Sequence, residues 1–335
     1  MPPFRIAIVG ASSLRGKELA TALRERRFPA LPPRLLQPPA APGAAARDQR
    51  ALIAFDEEAA VAEELSREAL EDLDALFLAG SPADALAAWK LAEPLRLLVV
   101  DLTSGLEAVP GAALAGLEPS PADTRLAVVA HPAAQALALL LDRLARAGRV
   151  ELAAATVFEP ASERDLDGLR ELEQQAVRLL AVQPLPQRVY DAQVAFNLRA
   201  ALGPAAAPSL AALRARIARQ LGRLRADDDA WPLPALELLQ APLFHATVIS
   251  LFVRFAAPLP SAALPAALQS PWLANSADFP DVIAAAGEDA IQLGPLRPDP
   301  AVAGGFWLFA TLDNLRRCAF SAVDAAQTLL AGRSA

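Results

Sequence analysis

Phe4 to Leu23, FRIAIVGASSLRGKELATAL, decides how the rest of the chain is read. Arg5 to Val9 is a short apolar run rich in β-branched residues, the pattern of a buried strand in a parallel sheet. Gly10 allows a tight turn, and Gly16 lets the next helix pack close to the strand. Leu19 and Leu23 then sit four apart on one helix face. A strand–loop–helix of this kind opens a dinucleotide-binding unit, with N–H groups at the helix start placed to hold a pyrophosphate. The full fingerprint has a second glycine where Ser13 stands. Two readings follow: a weak or vestigial nucleotide loop made by Gly10, Ser12, Ser13 and Gly16, or a βα turn that kept its shape and lost its ligand.

Working outward, Arg34–Gln37 reads as a second strand. It runs into Pro38-Pro39-Ala40-Ala41-Pro42-Gly43, where no side chain can hold a ribose, with Arg47 further on. Further strands are expected over Ala75–Ala79, Arg96–Leu102 and Arg125–Ala130. Helices are expected over Ala83–Leu91 and from Pro132. Strands alternating with helices predict a Rossmann-type, doubly wound parallel sheet. From Val150 the pattern changes. Strands are expected over Glu151–Phe158, Leu236–Leu239, Thr247–Phe255 and Phe306–Leu312. Helices are expected over Glu163–Ala181, Leu210–Leu224 and Asn314–Leu330. The first of these should bury Leu166, Leu169, Leu172 and Val177. Strands in runs with helices on one side predict an α+β domain.

The totals agree with a globular chain. Its 335 residues are 54% hydrophobic and 21% charged, enough for two domains. A net charge of −7 disfavours nucleic acid as partner. No apolar run reaches the roughly 18 residues of a membrane span. Met1-Pro2-Pro3 leads into the first strand without a signal-peptide pattern, and Cys318 is the sole cysteine, so a cytoplasmic location is expected. Lys17 and Lys90 are the only lysines among 31 basic residues, and alanine and proline are abundant. A GC-rich genome gives that bias, so arginine counts carry no chemical message here.

Five segments, in order, resemble the aspartate-semialdehyde dehydrogenase family over nearly the whole chain: GASSLRGKEL (Gly10–Leu19), FLAG (Phe77–Gly80), VVDLTS (Val99–Ser104), QVAFN (Gln193–Asn197) and TLDNLRRCAF (Thr311–Phe320). The resemblance implies a nucleotide domain over 1–131 completed by a C-terminal helix at 314–333, and a substrate and dimerisation domain over 132–313. Gly80 and Asn314 would join the cofactor side. It also implies NADP- and phosphate-dependent reduction of an acyl phosphate through a cysteine thioester. That chemistry needs a thiolate, both nucleophile and leaving group. Where the family has Asn-Pro-Asn-Cys, this chain has His131-Pro132-Ala133-Ala134. Thr247 falls at the family's general-base histidine and Gln240 at its substrate arginine. Glu107 falls near the phosphate-binding arginine, Glu159 at the substrate glutamine and Arg216 at the glutamate of a later helix. Gln cannot form the bidentate carboxylate clamp of Arg, and a carboxylate repels an anion. Cys318 reads as a small buried hydrophobe. Within the family there is a cysteine-less branch, the Usg-like paralogues. Gln240 and the Ser104-Gly105-Leu106 run resemble that branch.

By the same alignment both histidines, His131 and His245, lie beside the former catalytic positions. With Glu159 and Glu107 they make either a pocket for a metal or a cationic molecule, or a cleft that is polar by inheritance. No residue is assigned to a metal. Asp101-Leu102-Thr103-Ser104 is a small-molecule loop or plain loop chemistry. Two functions follow. One is a non-catalytic dimeric binding or scaffold protein, with NADP as its cofactor if it keeps any. The other is an NADP-dependent semialdehyde dehydrogenase with a rearranged site. A homodimer is expected because TVISLFVRF (Thr247–Phe255) is apolar on both faces. The alternative is that residues 259–290 cover its second face.

Overall fold

The computed structural model describes residues 3–38, 51–55, 58–116, 123–225, 230–260 and 263–333. The Pro/Ala loop beyond Pro38 and Arg47 lies outside the described residues. The chain divides into two compact units, Met1–Ala130 with Cys318–Ala335, and His131–Arg317.

The first unit runs β1 (Ile6–Val9), α1 (Leu14–Glu25), β2 (Arg34–Gln37), β3 (Ala51–Phe55), β4 (Glu58–Glu64), α2 (Arg67–Leu70), β5 (Ala75–Leu78), α3 (Pro82–Ala92), β6 (Leu98–Asp101), β7 (Ala112–Ala115) and β8 (Leu126–Val129). Its sheet has the order β3-β4-β2-β1-β5-β6-β8-β7. Every pairing is parallel except β3 with β4. Strands β1, β5, β6 and β8 are buried along their whole length, as continuous apolar runs between two helical layers require. Ile6, Ile8, Phe77 and Val100 pack with Leu19 of α1 and with Phe320 and Val323 of the closing helix. Ala7, Val9, Leu76 and Val99 pack on the other face with Ala85 and Ala88 of α3.

Strands β3, β4 and β7 were not expected. Both β4 (EAAVAEE) and β7 (AALA) are mostly alanine and glutamate, residues of poor strand propensity, so pairing rather than composition makes them strands.

The second unit runs α4 (Pro132–Ala147), β9 (Val150–Glu159), α5 (Asp165–Leu180), α6 (Leu210–Leu224), β10 (Ala235–Gln240), β11 (Thr247–Phe255), α7 (Ala263–Ala267), β12 (Leu273–Asn275), β13 (Ile291–Leu293), β14 (Arg297–Pro298), β15 (Gly305–Leu312) and the start of α8 (Asn314–Arg333). The sheet order is β10-β9-β11-β15-β13-β12, with β14 on β15. It is mixed: β10–β9 and β12–β13 are parallel and the rest antiparallel. One face packs Val157, Leu238, Ile249, Leu251 and Leu308 against Leu137 and Leu141 of α4 and Ile217 of α6. By strand alternation the opposite face carries Leu152, Ala154, Thr156, Ser250, Phe252 and Trp307. Leu152 and Trp307 there are 44% and 36% exposed.

Helix α5 departs from its amphipathic reading. A 3-10 turn, Ala161–Arg164, precedes it, and Val177 is exposed. Its buried side includes Glu171 and Gln175 with Leu172. Glu171 accepts the backbone N–H groups of Arg188, Val189 and Tyr190 at 2.7, 2.8 and 3.2 Å. Gln175 accepts those of Val194 and Ala195 at 2.8 and 3.2 Å. The helix holds an irregular segment by its backbone, so its inner stripe is polar.

Candidate functional site

The glycine loop keeps the expected shape for reasons internal to the fold. Gly10 has φ +81°, and a Cβ there would lie 2.3 Å from Cα of Gly80. A Cβ on Gly16 would lie 2.4 Å from the Gly10 carbonyl oxygen. Packing alone therefore demands these glycines. Ser13, expected as a lost glycine, is the N-cap of α1 in extended backbone, φ −69° and ψ 166°. Its hydroxyl accepts from Gly16 N–H at 2.9 Å and donates to the Ala79 carbonyl at 2.7 Å. One helix-start donor is thus already engaged by the protein. Ser12 is exposed.

Asp101 is buried, its carboxylate accepting from Thr103 N–H, the Thr103 hydroxyl and Leu106 N–H at 2.7, 2.6 and 2.9 Å. Burial pushes its pKa above the usual carboxylate value, against these hydrogen bonds. The stretch after β6 is thus held by hydrogen bonds to the Asp101 carboxylate. Glu107 belongs to this first unit and is half-buried.

In the second unit the polar centre lies at the foot of α4. His131 is the N-cap, and Pro132 at the first helical position fits there because its missing N–H has no intrahelical acceptor. Nδ1 of His131 accepts Ala133 N–H at 3.2 Å, and Nε2 lies 3.0 Å from Glu159 Oε1. The Ala133 donor assigns the ring proton to Nε2, which donates it to Glu159. The backbone N–H of His131 is held by Gln220 Oε1 at 2.7 Å. Glu163 Oε2 lies 3.9 Å from His131 Nε2, and Glu163 Oε1 accepts from Asn314 Nδ2 at 2.8 Å. Asn314 also bonds the Ser162 hydroxyl. Ligand atoms of His131, Glu159 and Glu163 lie within 4.8 Å of one another.

Of the residues expected in the pocket, His131 and Glu159 come together. His245 does not: it is exposed, and Ala246 at φ +68° turns the chain between it and buried Thr247. Glu163 joins the pair instead. Ala134 is fully buried in the first turn of α4. Gln240 donates from Nε2 to the carbonyls of Glu159 and Ala241 at 2.9 and 3.2 Å. Thr247 is fully buried. Arg216 is half-buried on α6. Cys318 is buried with Sγ 3.9 Å from the Leu102 carbonyl. Glu163, Arg164 and Gln220 escaped the sequence reading. The one available signal was Glu159-Pro160-Ala161-Ser162-Glu163, whose 3-10 turn brings the second carboxylate back beside the first.

The chain is 28% identical over 329 residues to a USG-1 protein homolog of Pseudomonas aeruginosa, covering 94% of each. It is 25% identical to an aspartate-semialdehyde dehydrogenase of Streptomyces akiyoshiensis, over 98% of this chain and 99% of that one. The solved structure of a probable aspartate-semialdehyde dehydrogenase from Pseudomonas aeruginosa superposes with a TM-score of 0.80 at 26% identity, over 96% and 97% of the two chains. This chain is a homologue of USG-1 proteins and aspartate-semialdehyde dehydrogenases. Aspartate-semialdehyde dehydrogenase II from Vibrio cholerae, solved with ASA, shares the fold with a TM-score of 0.83 at 20% identity over 99% of each chain. No family model matches the sequence. The Rossmann-type sheet and the mixed second sheet are those of aspartate-semialdehyde dehydrogenases, and the absence of any cysteine but buried Cys318 fits a Usg-like paralogue.

Proposed function

We propose that this aspartate-semialdehyde dehydrogenase-like chain is non-catalytic and acts as a dimeric binding or scaffold protein. Ala134 carries the reading. It stands where the resemblance puts the thiolate, and a methyl group can neither attack a carbonyl nor leave one. Its surroundings offer no replacement. Both ring nitrogens of His131 are engaged, so its imidazole is not open as a base. Gln240 directs its amide N–H groups at backbone carbonyls and supplies no charge for a carboxylate. Cys318 is buried among apolar residues of the other unit.

Any nucleotide would be NADP, held weakly, because Ser13 already takes the Gly16 N–H. Dimerisation is supported by the sheet face bearing Leu152, Phe252 and Trp307. On that face Ala154, Thr156, Ala235, Glu237, Ser250 and Trp307 line a shallow hollow of about 260 Å³. Leu264, Leu268 and Leu273 from the 259–290 region pack into the helix-side core instead. Phe279 meets Phe309 on β15 edge-on and lies under the Arg297 guanidinium. No helix among the described residues is long and apolar enough to cross a membrane.

Calorimetric titration with NADP, then an assay for phosphate-dependent semialdehyde oxidation at high protein concentration, tests the reading. The expected result is no micromolar affinity and no turnover; either one overturns it.

A further inference from the structure

Three neighbouring strands of the second unit end, near the foot of α4, in oxygens that the protein leaves unsatisfied. Gln240 on β10 stands opposite Glu159 on β9. Val248 opposite Phe158 sets Thr247 of β11 beside Glu159 on its other side. Strand alternation puts all three on the face of Val157, Leu238 and Ile249. Each is 1% exposed or less. Glu159 Oε2, Gln240 Oε1 and Thr247 Oγ1 have no hydrogen-bond partner among the described residues. One orphaned buried oxygen is tolerable, but three in one row call for a common occupant.

We propose that this row binds a monovalent alkali cation, Na⁺ or K⁺. A carboxylate, an amide carbonyl and a hydroxyl are hard oxygen donors, the ligands of alkali and alkaline-earth ions. The Glu163 carboxylate lies close to Glu159 and His131. Charge favours a single positive unit. Glu159 and Glu163 bring two negative charges, and Arg164, which acts on both and on Glu171, offsets part of them. The Arg164 guanidinium itself is directed at the Ala207 and Pro208 carbonyls, at 3.3 and 2.7 Å, so it does not fill the row. A site this buried disfavours Mg²⁺, which keeps its water. A zinc ion on His131 Nε2 is disfavoured by the ring's other nitrogen. Metal-bound imidazoles donate from that second nitrogen, whereas Nδ1 here accepts from Ala133. The site is independent of whether the chain turns over a substrate.

Thermal unfolding of the full chain in KCl, NaCl and tetramethylammonium chloride at equal ionic strength tests this, with CaCl2 and MgCl2 as further arms. K⁺ or Na⁺ should raise Tm saturably over tetramethylammonium. At about 100 times Kd the folded-to-unfolded ratio should rise ~100-fold. Thr247→Val and Gln240→Leu should each reduce or abolish the response, and if one fails to fold the other still reads it. Crystals soaked in Rb⁺ or Tl⁺ should show an anomalous peak between these oxygens. Internal water alone predicts no such peak, and Thr247→Val would then change Tm equally in every salt. That outcome, or a response confined to Ca²⁺ or Mg²⁺, overturns the assignment.

Discussion

Replacing His131 tests the polar centre most directly, because one side chain makes two separable contacts. Nδ1 caps Ala133 N–H and Nε2 donates to buried Glu159. An N-cap is worth about 1 kcal/mol. A hydrogen bond to a charged group is worth about 1.5–3 kcal/mol, and its loss leaves that carboxylate without its imidazole donor. His131→Ala should therefore cost about 2.5–4 kcal/mol. With a urea slope of about 2–3 kcal/mol/M for a unit of this size, the midpoint should fall by ~1–2 M. His131→Asn separates the two contacts. Asparagine is a good N-cap but too short to reach Glu159, so it should recover about 1 kcal/mol of the loss. Urea unfolding followed by far-UV circular dichroism, with the second unit's transition resolved, gives both numbers. A His131→Ala midpoint within ~0.3 M of wild type would refute the reasoning. So would a His131→Asn midpoint no higher than that of His131→Ala.

Tyr190 is the only tyrosine, so tyrosinate absorbance reports it alone. Burial pushes its pKa well above the usual ~10, with Arg164 only partly opposing. The folded state thus keeps a proton that the unfolded chain releases, and this contribution to stability is complete below pH ~10 and is lost as pH rises above it. Tyrosinate should appear only as the protein unfolds; ionisation near pH ~10 in folded protein contradicts this. Ala134→Cys should give no dehydrogenase turnover, since the resemblance puts Thr247 and Gln240 at the base and clamp positions and catalytic groups act as a unit; robust turnover refutes it. Wild type should sediment at twice its 35.2 kDa chain mass, and Phe252→Glu, which removes the ring 5.1 Å from Trp307 on the partly exposed sheet face, should give monomer or aggregate. Wild type at the monomer mass refutes the dimer.

What the sequence made legible depended on how locally each feature is determined. Leu210–Leu224 has the expected ends because Ser209, its N-cap, is a local signal: the hydroxyl accepts from Ala212 N–H at 3.2 Å. Thr247–Phe255 is legible because its apolar run spans the whole strand. Nothing local marks β7, whose four residues become a strand only by pairing with β8. The site shows the same divide. The alanine at 134, where the resemblance places a cysteine, is visible in the sequence itself, whereas the partnership of His131 with Glu159 crosses 28 positions and Glu163 is brought in by a 3-10 turn. His245 misled because a sequence interval of two residues does not register the left-handed turn at Ala246. Ser13 is the most instructive case. A motif reading sees an absent glycine, but the backbone there is extended and any residue adopts it. What changed is an added hydroxyl, which ties the Gly16 N–H to the Ala79 carbonyl. The Ser13 hydroxyl thus supplies, from within the protein, the acceptor for one N–H group at the start of α1.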